Sequence, residues 1–296
     1  MKCLVTGSAG LIGNTLVFDL EKSGYTVISC YNNTKPQYGI PTKLNLLNID
    51  DISKTFKKFQ PDIIIHLAAL TDVEKCEVDK QLASLINEKS TETIAKEAEK
   101  LKSFLIYIST DYVFDGIKGD YTETDFPNPL NHYGKTKLAG EKIVKNINTK
   151  WSVIRTSTPF GINSYKKSFP DWIVDNLQKN KKLNILDDQI TSPTYVPNLS
   201  KMILEIITRK LEGFFHLSGS TRISRFEFAK KIVKNLNLDN SLLNPVKLAT
   251  MPWKSKRPFD SSLDVSKANS ILTTKPFSIE DSLDEYISKL QNSFSL

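Results

Sequence analysis

The sequence predicts an α/β protein: a Rossmann-type, doubly wound parallel sheet with a smaller C-terminal substrate lobe. Three observations predict it. Short apolar runs alternate with longer segments of helical period through the first half of the chain. Those runs are continuously apolar, as strands covered on both faces require. A glycine-rich turn, "TGSAGLIG" (6–13), joins the first run to the first helical segment.

The elements follow in order. "KCLVTG" (2–7) is a β-branched strand closing on glycine, and 11–24 carries apolar residues at helical spacing up to Gly24. Residues 25–31 read as a strand, 50–59 as a helix and 62–69 as a buried strand. A long helix over 81–102 leads to a strand at 103–110, a helix at 132–146 and a strand at 151–157. The second half is less regular. Helices are expected at 168–180, 198–211, 225–236 and 278–291, and short strands at 182–186 and 213–219. Residues 1–157 are therefore taken as the nucleotide-binding domain, to which 182–222 and 264–296 are expected to return. Residues 158–181 and 223–263 are left for the substrate lobe.

With 296 residues, 40% of them hydrophobic, the chain suits one large unit or two modest domains. No apolar run approaches the roughly 20 residues that span a bilayer, so no membrane partner is expected. Cys3, Cys30 and Cys76 form neither a metal spacing nor an even framework, which fits a reducing, cytoplasmic setting. The net charge of +7 is spread along the chain in short clusters such as "YKKS" (165–168), without a basic stripe that would suit nucleic acid. It agrees with attraction for small anionic substrates. His66, His132 and His216 are isolated, so a structural reading is favoured for them and no metal is expected.

Gly7, Gly10 and Gly13 let the backbone turn sharply and approach a phosphate, while the following helix aims amide groups at the same spot. The strand, turn, helix, strand context is the one a dinucleotide needs. A carboxylate ending the second strand would accept the ribose hydroxyls of NAD. The chain offers Tyr31, Asn32, Asn33 and Lys35 instead, which favours NADP(H) and leaves NAD(H) open.

Tyr133 and Lys137, four residues apart, share one helix face. A free phenol near pKa 10 exchanges protons poorly at neutral pH. An adjacent ammonium is expected to lower that value and make the phenol a proton donor to an oxygen that has received a hydride. Lysine can also hold ribose hydroxyls. Ser109 and Thr110, ending the fourth expected strand, both carry a hydroxyl that can hold a substrate carbonyl. They point to opposite faces, so one of them serves.

The glycine turn, "HLAA" (66–69), "STDYVFDG" (109–116), "YGKTKLAGE" (133–141) and "RPFDSSLD" (257–264) stand in the order found in extended short-chain dehydrogenases/reductases. Over nearly its whole length the chain resembles the dTDP-4-dehydrorhamnose reductase branch. The resemblance implies Thr110 as catalytic hydroxyl, Tyr133 as general acid and Lys137 as its partner. It implies a cofactor cradle from Gly7, Ala9, Gly10, Leu11, Ile12 and Gly13. Tyr31, Asn32, Asn33, Asn45, Leu46, Ala68 and Ala69 join that cradle, with Tyr133 and Lys137 at its far end. Asp111, Val113 and Arg257 are implied on the substrate side, although an Asp at that point is often only a turn residue. Thr158 stands where the bacterial reductases carry a tryptophan, and Trp253 in the "MPWKSKRP" loop (251–258) is the candidate to compensate.

The expected function is reduction of the 4-keto group of a nucleotide-linked deoxysugar, dTDP-4-dehydrorhamnose to dTDP-L-rhamnose. Two alternatives stand beside it. One is an epimerase with tightly bound NAD; dehydration is disfavoured because Tyr112, not Glu, follows Asp111. The other is a non-catalytic NADP-binding subunit similar to the beta subunit of methionine adenosyltransferase. Some members of the family pair, which leaves a homodimer open as a partner.

Overall fold

In the computed structural model, residues 1–162 and 167–294 are described; Tyr165 and Lys166 of the "YKKS" cluster lie outside them. The first strand, β1 (Lys2–Thr6), is buried from Cys3 onward and ends at the glycine turn. Helix α1 (Leu11–Lys22) follows at once, with Gly10, which has no side chain to cap the first turn, at its N-cap. The chain continues through β2 (Thr26–Tyr31), β3 (Ile40–Lys43), α2 (Ile49–Phe59) and β4 (Ile63–His66). Next come α3 (Val73–Val78), α4 (Lys80–Ser84), a π-turn (Leu85–Lys89) and α5 (Ser90–Leu101), then β5 (Phe104–Thr110), α6 (His132–Lys145) and β6 (Trp151–Thr156). The second half supplies β7 (Pro159–Phe160), α7 (Phe169–Leu177), β8 (Leu183–Leu186), β9 (Ile190–Thr191), β10 (Thr194–Tyr195) and α8 (Val196–Arg209). It closes with β11 (Gly213–His216), β12 (Ile223–Ser224), α9 (Arg225–Asn235), β13 (Leu243–Val246), α10 (Ser266–Ile271) and α11 (Ile279–Phe294).

Seven strands form one parallel sheet in the order β11-β6-β5-β4-β1-β2-β3. Successive βαβ steps run outward from β1 in both directions, which opens a crevice at the carboxyl ends of β1 and β4. One face of the sheet is covered by α1 and α8, where Leu16, Val17 and Leu20 meet Leu199, Met202 and Ile203. The other face packs Ile52 and Phe56 of α2, Ile94 and Ala98 of α5, and Val144 of α6. A second apolar cluster (Phe160, Ile173, Leu177, Phe228, Ile232, Leu283, Tyr286) forms the core of the smaller lobe.

Several expectations meet a different placement. Residues 182–186 do not enter the central sheet: β8 pairs with β13, and α9 packs on it in the small lobe. Of the segment 264–296, Ala268 and Leu272 at and just beyond α10 reach the main core, whereas Ile279, Leu283 and Tyr286 of α11 belong to the small lobe. Helical and strand periods alone carry no information about which core an amphipathic face will meet. The expected strand 62–69 stops at His66, freeing 67–69 to line the crevice. The expected helix 81–102 is interrupted by the π-turn at Leu85–Lys89. There, buried Asn87 accepts from the Leu70 amide at 2.7 Å and donates to the Leu70 carbonyl and to Thr136 Oγ1, each at 3.1 Å. Among the described residues, no helix is long and apolar enough to cross a membrane, and no group of three or more His, Cys, Asp or Glu gathers as for a metal.

Candidate active site

The crevice is a cleft of about 920 Å³, bounded by the glycine turn, the carboxyl ends of β1, β2, β4 and β5, the start of α6 and the edge of the small lobe. That lies near the upper end of the ~300–1,000 Å³ common for small-ligand sites. Gly7, Ala9, Gly10, Leu11, Ile12 and Gly13 line one end; Tyr31, Asn32, Asn33, Asn45 and Leu46 flank it; Ala68 and Ala69 form the side wall.

The glycines are required by close approach. Gly7 has φ +70°, and a Cβ there would stand 2.9 Å from the Ala68 amide nitrogen. A Cβ on Gly13 would stand 2.3 Å from the Gly7 carbonyl oxygen. The wall is held by Thr6, whose Oγ1 accepts from the Ala68 amide at 3.1 Å and pairs with His66 Nδ1 at 2.8 Å. His66 Nε2 meets Thr91 Oγ1 at 3.0 Å, and burial pushes the ring down to about 3, so it is a neutral structural histidine. Together the turn, the start of α1 and the apolar wall fit a dinucleotide, with its phosphates at the helix N-terminus.

The catalytic candidates converge in this cleft. Thr110, Tyr133 and Lys137 all line it. Thr110 ends β5, where its Oγ1 accepts from the Tyr112 amide at 3.2 Å and donates to Asp111 Oδ1 at 2.9 Å. Tyr133 stands in the first turn of α6, whose start is fixed twice. Asn131 caps it, accepting from the Gly134 amide at 2.9 Å, and Glu77 Oε2 accepts from the His132 amide at 3.0 Å. Ser109, on the opposite face of β5, donates to buried Glu141 at 2.5 Å, which leaves Thr110 as the hydroxyl beside the phenol.

The electrostatics correct one expectation. The Tyr133 phenol is pushed up, not down: burial is the largest cause, and the hydrogen bond with Thr110 opposes it. It is Lys137 that is lowered, to about 7, by burial, with Glu141 acting the other way. Spacing gave the shared face but held no information on burial: Lys137 is buried and Tyr133 half-buried at the cleft wall.

Two substrate-side expectations also change. Val113 is fully buried with Phe114, Tyr121 and Leu263 and does not line the cleft. Asp111 lines it, but its oxygens already accept from Thr110, from Ser157 at 2.8 Å and from Ser261 at 2.6 Å. Burial raises its pKa, and it ties the ends of β5 and β6 to the 257–264 segment. Arg257 does line the cleft, and its buried Nε has no hydrogen-bond partner among the described residues. Its guanidinium lies 3.7 Å from the ring centroid of Trp253 and 3.7 Å from Glu74 Oε1. Trp253 thus packs on Arg257 and does not itself line the cleft.

Glu74 also accepts from the Lys254 amide at 2.9 Å and from Ser255, fastening this loop to α3. Thr158, with φ +41°, lines the cleft between the two lobes.

Sequence reasoning missed Lys167, Ser168, Phe169 and Arg225, which line the end of the cleft formed by the small lobe. Arg225 donates from Nε to Gln189 Oε1 at 2.6 Å. A signal for it existed: Ser224 caps α9 and Arg225 follows directly, a cation where the helix dipole disfavours one. Among the described lining residues the cations are Lys137, Lys167, Arg225 and Arg257, against the single engaged carboxylate of Asp111. The cleft therefore suits an anionic ligand.

A family model described as "RmlD substrate binding domain" matches residues 1–292. The beta subunit of methionine adenosyltransferase 2 from Xenopus tropicalis is 34% identical over 278 residues, covering 91% of this chain and 82% of that protein. The structure of a hypothetical dTDP-4-dehydrorhamnose reductase from Sulfolobus tokodaii superposes with a TM-score of 0.86 at 38% identity, over 94% of this chain and 97% of the other. The dTDP-4-dehydrorhamnose reductase of Bacillus anthracis, in complex with NADP, superposes with a TM-score of 0.88 at 31% identity, over 97% and 99% of the two chains. With its glycine turn, Tyr133 and Lys137 in one cleft, the chain belongs to the RmlD substrate-binding-domain family, the dTDP-4-dehydrorhamnose reductase-like branch of the extended short-chain dehydrogenases/reductases.

Proposed function

We propose that this protein is a cytoplasmic NADPH-dependent reductase of the 4-keto group of a nucleotide-linked deoxysugar, with dTDP-4-dehydrorhamnose reduced to dTDP-L-rhamnose. The observation that carries the reading is the meeting of Thr110, Tyr133 and Lys137 beside a dinucleotide-shaped glycine turn. The absence of a carboxylate among Tyr31, Asn32 and Asn33 at the end of β2 supports NADP(H) over NAD(H).

When bound, the nicotinamide supplies the hydride. The chain's own groups do the rest. Thr110 turns its hydroxyl proton from Asp111 Oδ1 to the substrate carbonyl oxygen and holds it. The Tyr133 phenol, kept protonated by its burial, gives its proton to that oxygen as it becomes an alkoxide. Lys137 donates to the ribose hydroxyls and offsets negative charge developing on Tyr133. Arg225, Arg257 and Lys167 hold the diphosphate by charge-assisted hydrogen bonds.

The test is to supply NADPH with dTDP-4-dehydrorhamnose and follow loss of the reduced nicotinamide band. Tyr133→Phe should cut turnover by roughly 10²–10⁴-fold while leaving NADPH binding nearly unchanged. Unchanged turnover removes the mechanism. A second reading, a regulatory subunit that binds NADP without turnover, is favoured by the 34% identity to a methionine adenosyltransferase 2 beta subunit. NADPH binding with no consumption on the sugar nucleotide, and co-purification with a larger enzyme, would select it.

A further inference from the structure

Glu141 follows Lys137 on α6 at the interval by which Lys137 follows Tyr133, so the three share a helix face. Lys137 and Glu141 are both buried. The Lys137 Nζ stands 4.0 Å from the ring centroid of Tyr107 on β5. The helix comes this close because residue 140 is glycine: a Cβ there would lie 2.2 Å from the Tyr107 hydroxyl.

Glu141 is clamped from two strands. Ser109 Oγ donates to its Oε1 at 2.5 Å, and Arg155 donates from Nε to Oε1 at 2.9 Å and from Nη2 to Oε2 at 2.7 Å. Arg155 is itself fixed, with its guanidinium 5.0 Å from each of the Phe114 and Phe214 rings and its Nη1 3.3 Å from His216 Nε2. A buried ion pair is commonly no more stabilising than well-packed apolar residues. Stability alone therefore gives no reason for this cluster beneath the cleft.

We propose that Glu141 is a positioning residue for Lys137: clamped by Ser109 and Arg155, its carboxylate is the counter-charge that keeps the lysine an ammonium where the cofactor and phenol need it. The groups that face Lys137 are Tyr133 and Glu141 from α6, Tyr107 from β5 and neutral His66 from β4, with Arg155 of β6 acting through Glu141. Of these, Glu141 is the one that opposes the effect of burial on the amine. The proposal rests on the reading of Lys137 as a working ammonium, but its test needs no turnover.

The experiment is a pH titration of the cofactor-free full chain by NMR, with ¹³C at the lysine Cε and the Lys137 signal assigned by its loss in Lys137→Met. The wild-type midpoint is expected near the value of about 7. Glu141→Gln should lower it by at least about one pH unit, and Glu141→Asp should restore most of the difference. An unmoved midpoint in folded Glu141→Gln overturns the proposal. Where that variant does not fold, Arg155→Met leaves the carboxylate facing Lys137 without its competing cation and should raise the midpoint; no rise overturns it equally. NADPH turnover is measured alongside. A shifted midpoint in a protein without turnover keeps Glu141's role and removes the reductase reading, whereas turnover with an unmoved midpoint removes Glu141's role alone.

Discussion

Burying Lys137 carries a stability cost whose pH window follows from its titration. The amine is lowered from an ordinary 10.5 to about 7 in the folded chain. Between those values the unfolded chain binds more protons than the folded one, so stability rises with pH across that window. Below it both states are protonated and the cost is fully present. An interval of roughly 3.5 pH units, at about 1.36 kcal/mol each, sets that cost at roughly 4–5 kcal/mol. About 2 kcal/mol of it should be relieved between pH 7 and pH 9. Lys137→Met keeps most of the stem volume and removes the proton equilibrium. The assay is guanidinium unfolding of both cofactor-free proteins at a series of pH values from 6 to 9. The methionine variant is expected to be the more stable near pH 7, with the gap narrowing by about 2 kcal/mol at pH 9. A gap that stays constant over this range would refute a buried lysine whose amine is lowered to about 7 in the folded chain.

Other outcomes follow from the same contacts. Burial holds His66 and His216 down to about 3, so the folded state resists protonation that the unfolded state accepts near pH 6.5. Stability should therefore fall as the pH drops from about 6.5 toward 3, and His66→Gln should move acid unfolding, followed by near-UV circular dichroism, to lower pH. Gly13→Ala sets a methyl group 2.3 Å from the Gly7 carbonyl, which must open the turn. At least about a tenfold loss of NADPH affinity is expected by fluorescence titration, corresponding to the ~1–3 kcal/mol of a strained backbone site. Arg225→Gln should raise KM for the sugar nucleotide by roughly 10–100-fold, the worth of one charged hydrogen bond, with NADPH affinity unchanged.

The sheet was legible because its signals are local. The apolar runs at 2–7, 103–110 and 151–157 are buried almost throughout, and at this length, alternating with helical segments, they fit strands covered on both faces. β3 (Ile40–Lys43) escaped because it is short, contains proline and is largely exposed at the sheet edge. The two-residue strands β7, β9, β10 and β12 have no period to detect. The glycine turn and the Tyr133–Lys137 pair were readable because each sits at a fixed interval from an element end, whereas the residues alone left Ser109 and Thr110 open and the family resemblance chose Thr110. The small-lobe half of the cleft was not. Arg225 and Lys167 reach it from segments distant in sequence, and only tertiary packing brings them to Arg257. Burial was equally illegible: Lys137 is a charged residue in a polar-looking stretch, yet it is buried and desolvation is the largest influence on its amine. Val113, by contrast, has an apolar side chain, and it went to the Phe114, Tyr121 and Leu263 cluster as a core residue does.

The most direct measurement is the fate of the transferred hydrogen. NADPH carrying deuterium at the reactive nicotinamide carbon is incubated with the protein and dTDP-4-dehydrorhamnose, and the sugar nucleotide is analysed by mass spectrometry and NMR. One deuterium at C4 of the sugar, with stoichiometric loss of NADPH and almost none formed by Tyr133→Phe, is the expected result. Recovery of unlabelled keto sugar with NADPH bound but intact would contradict the assignment of this cleft to hydride transfer.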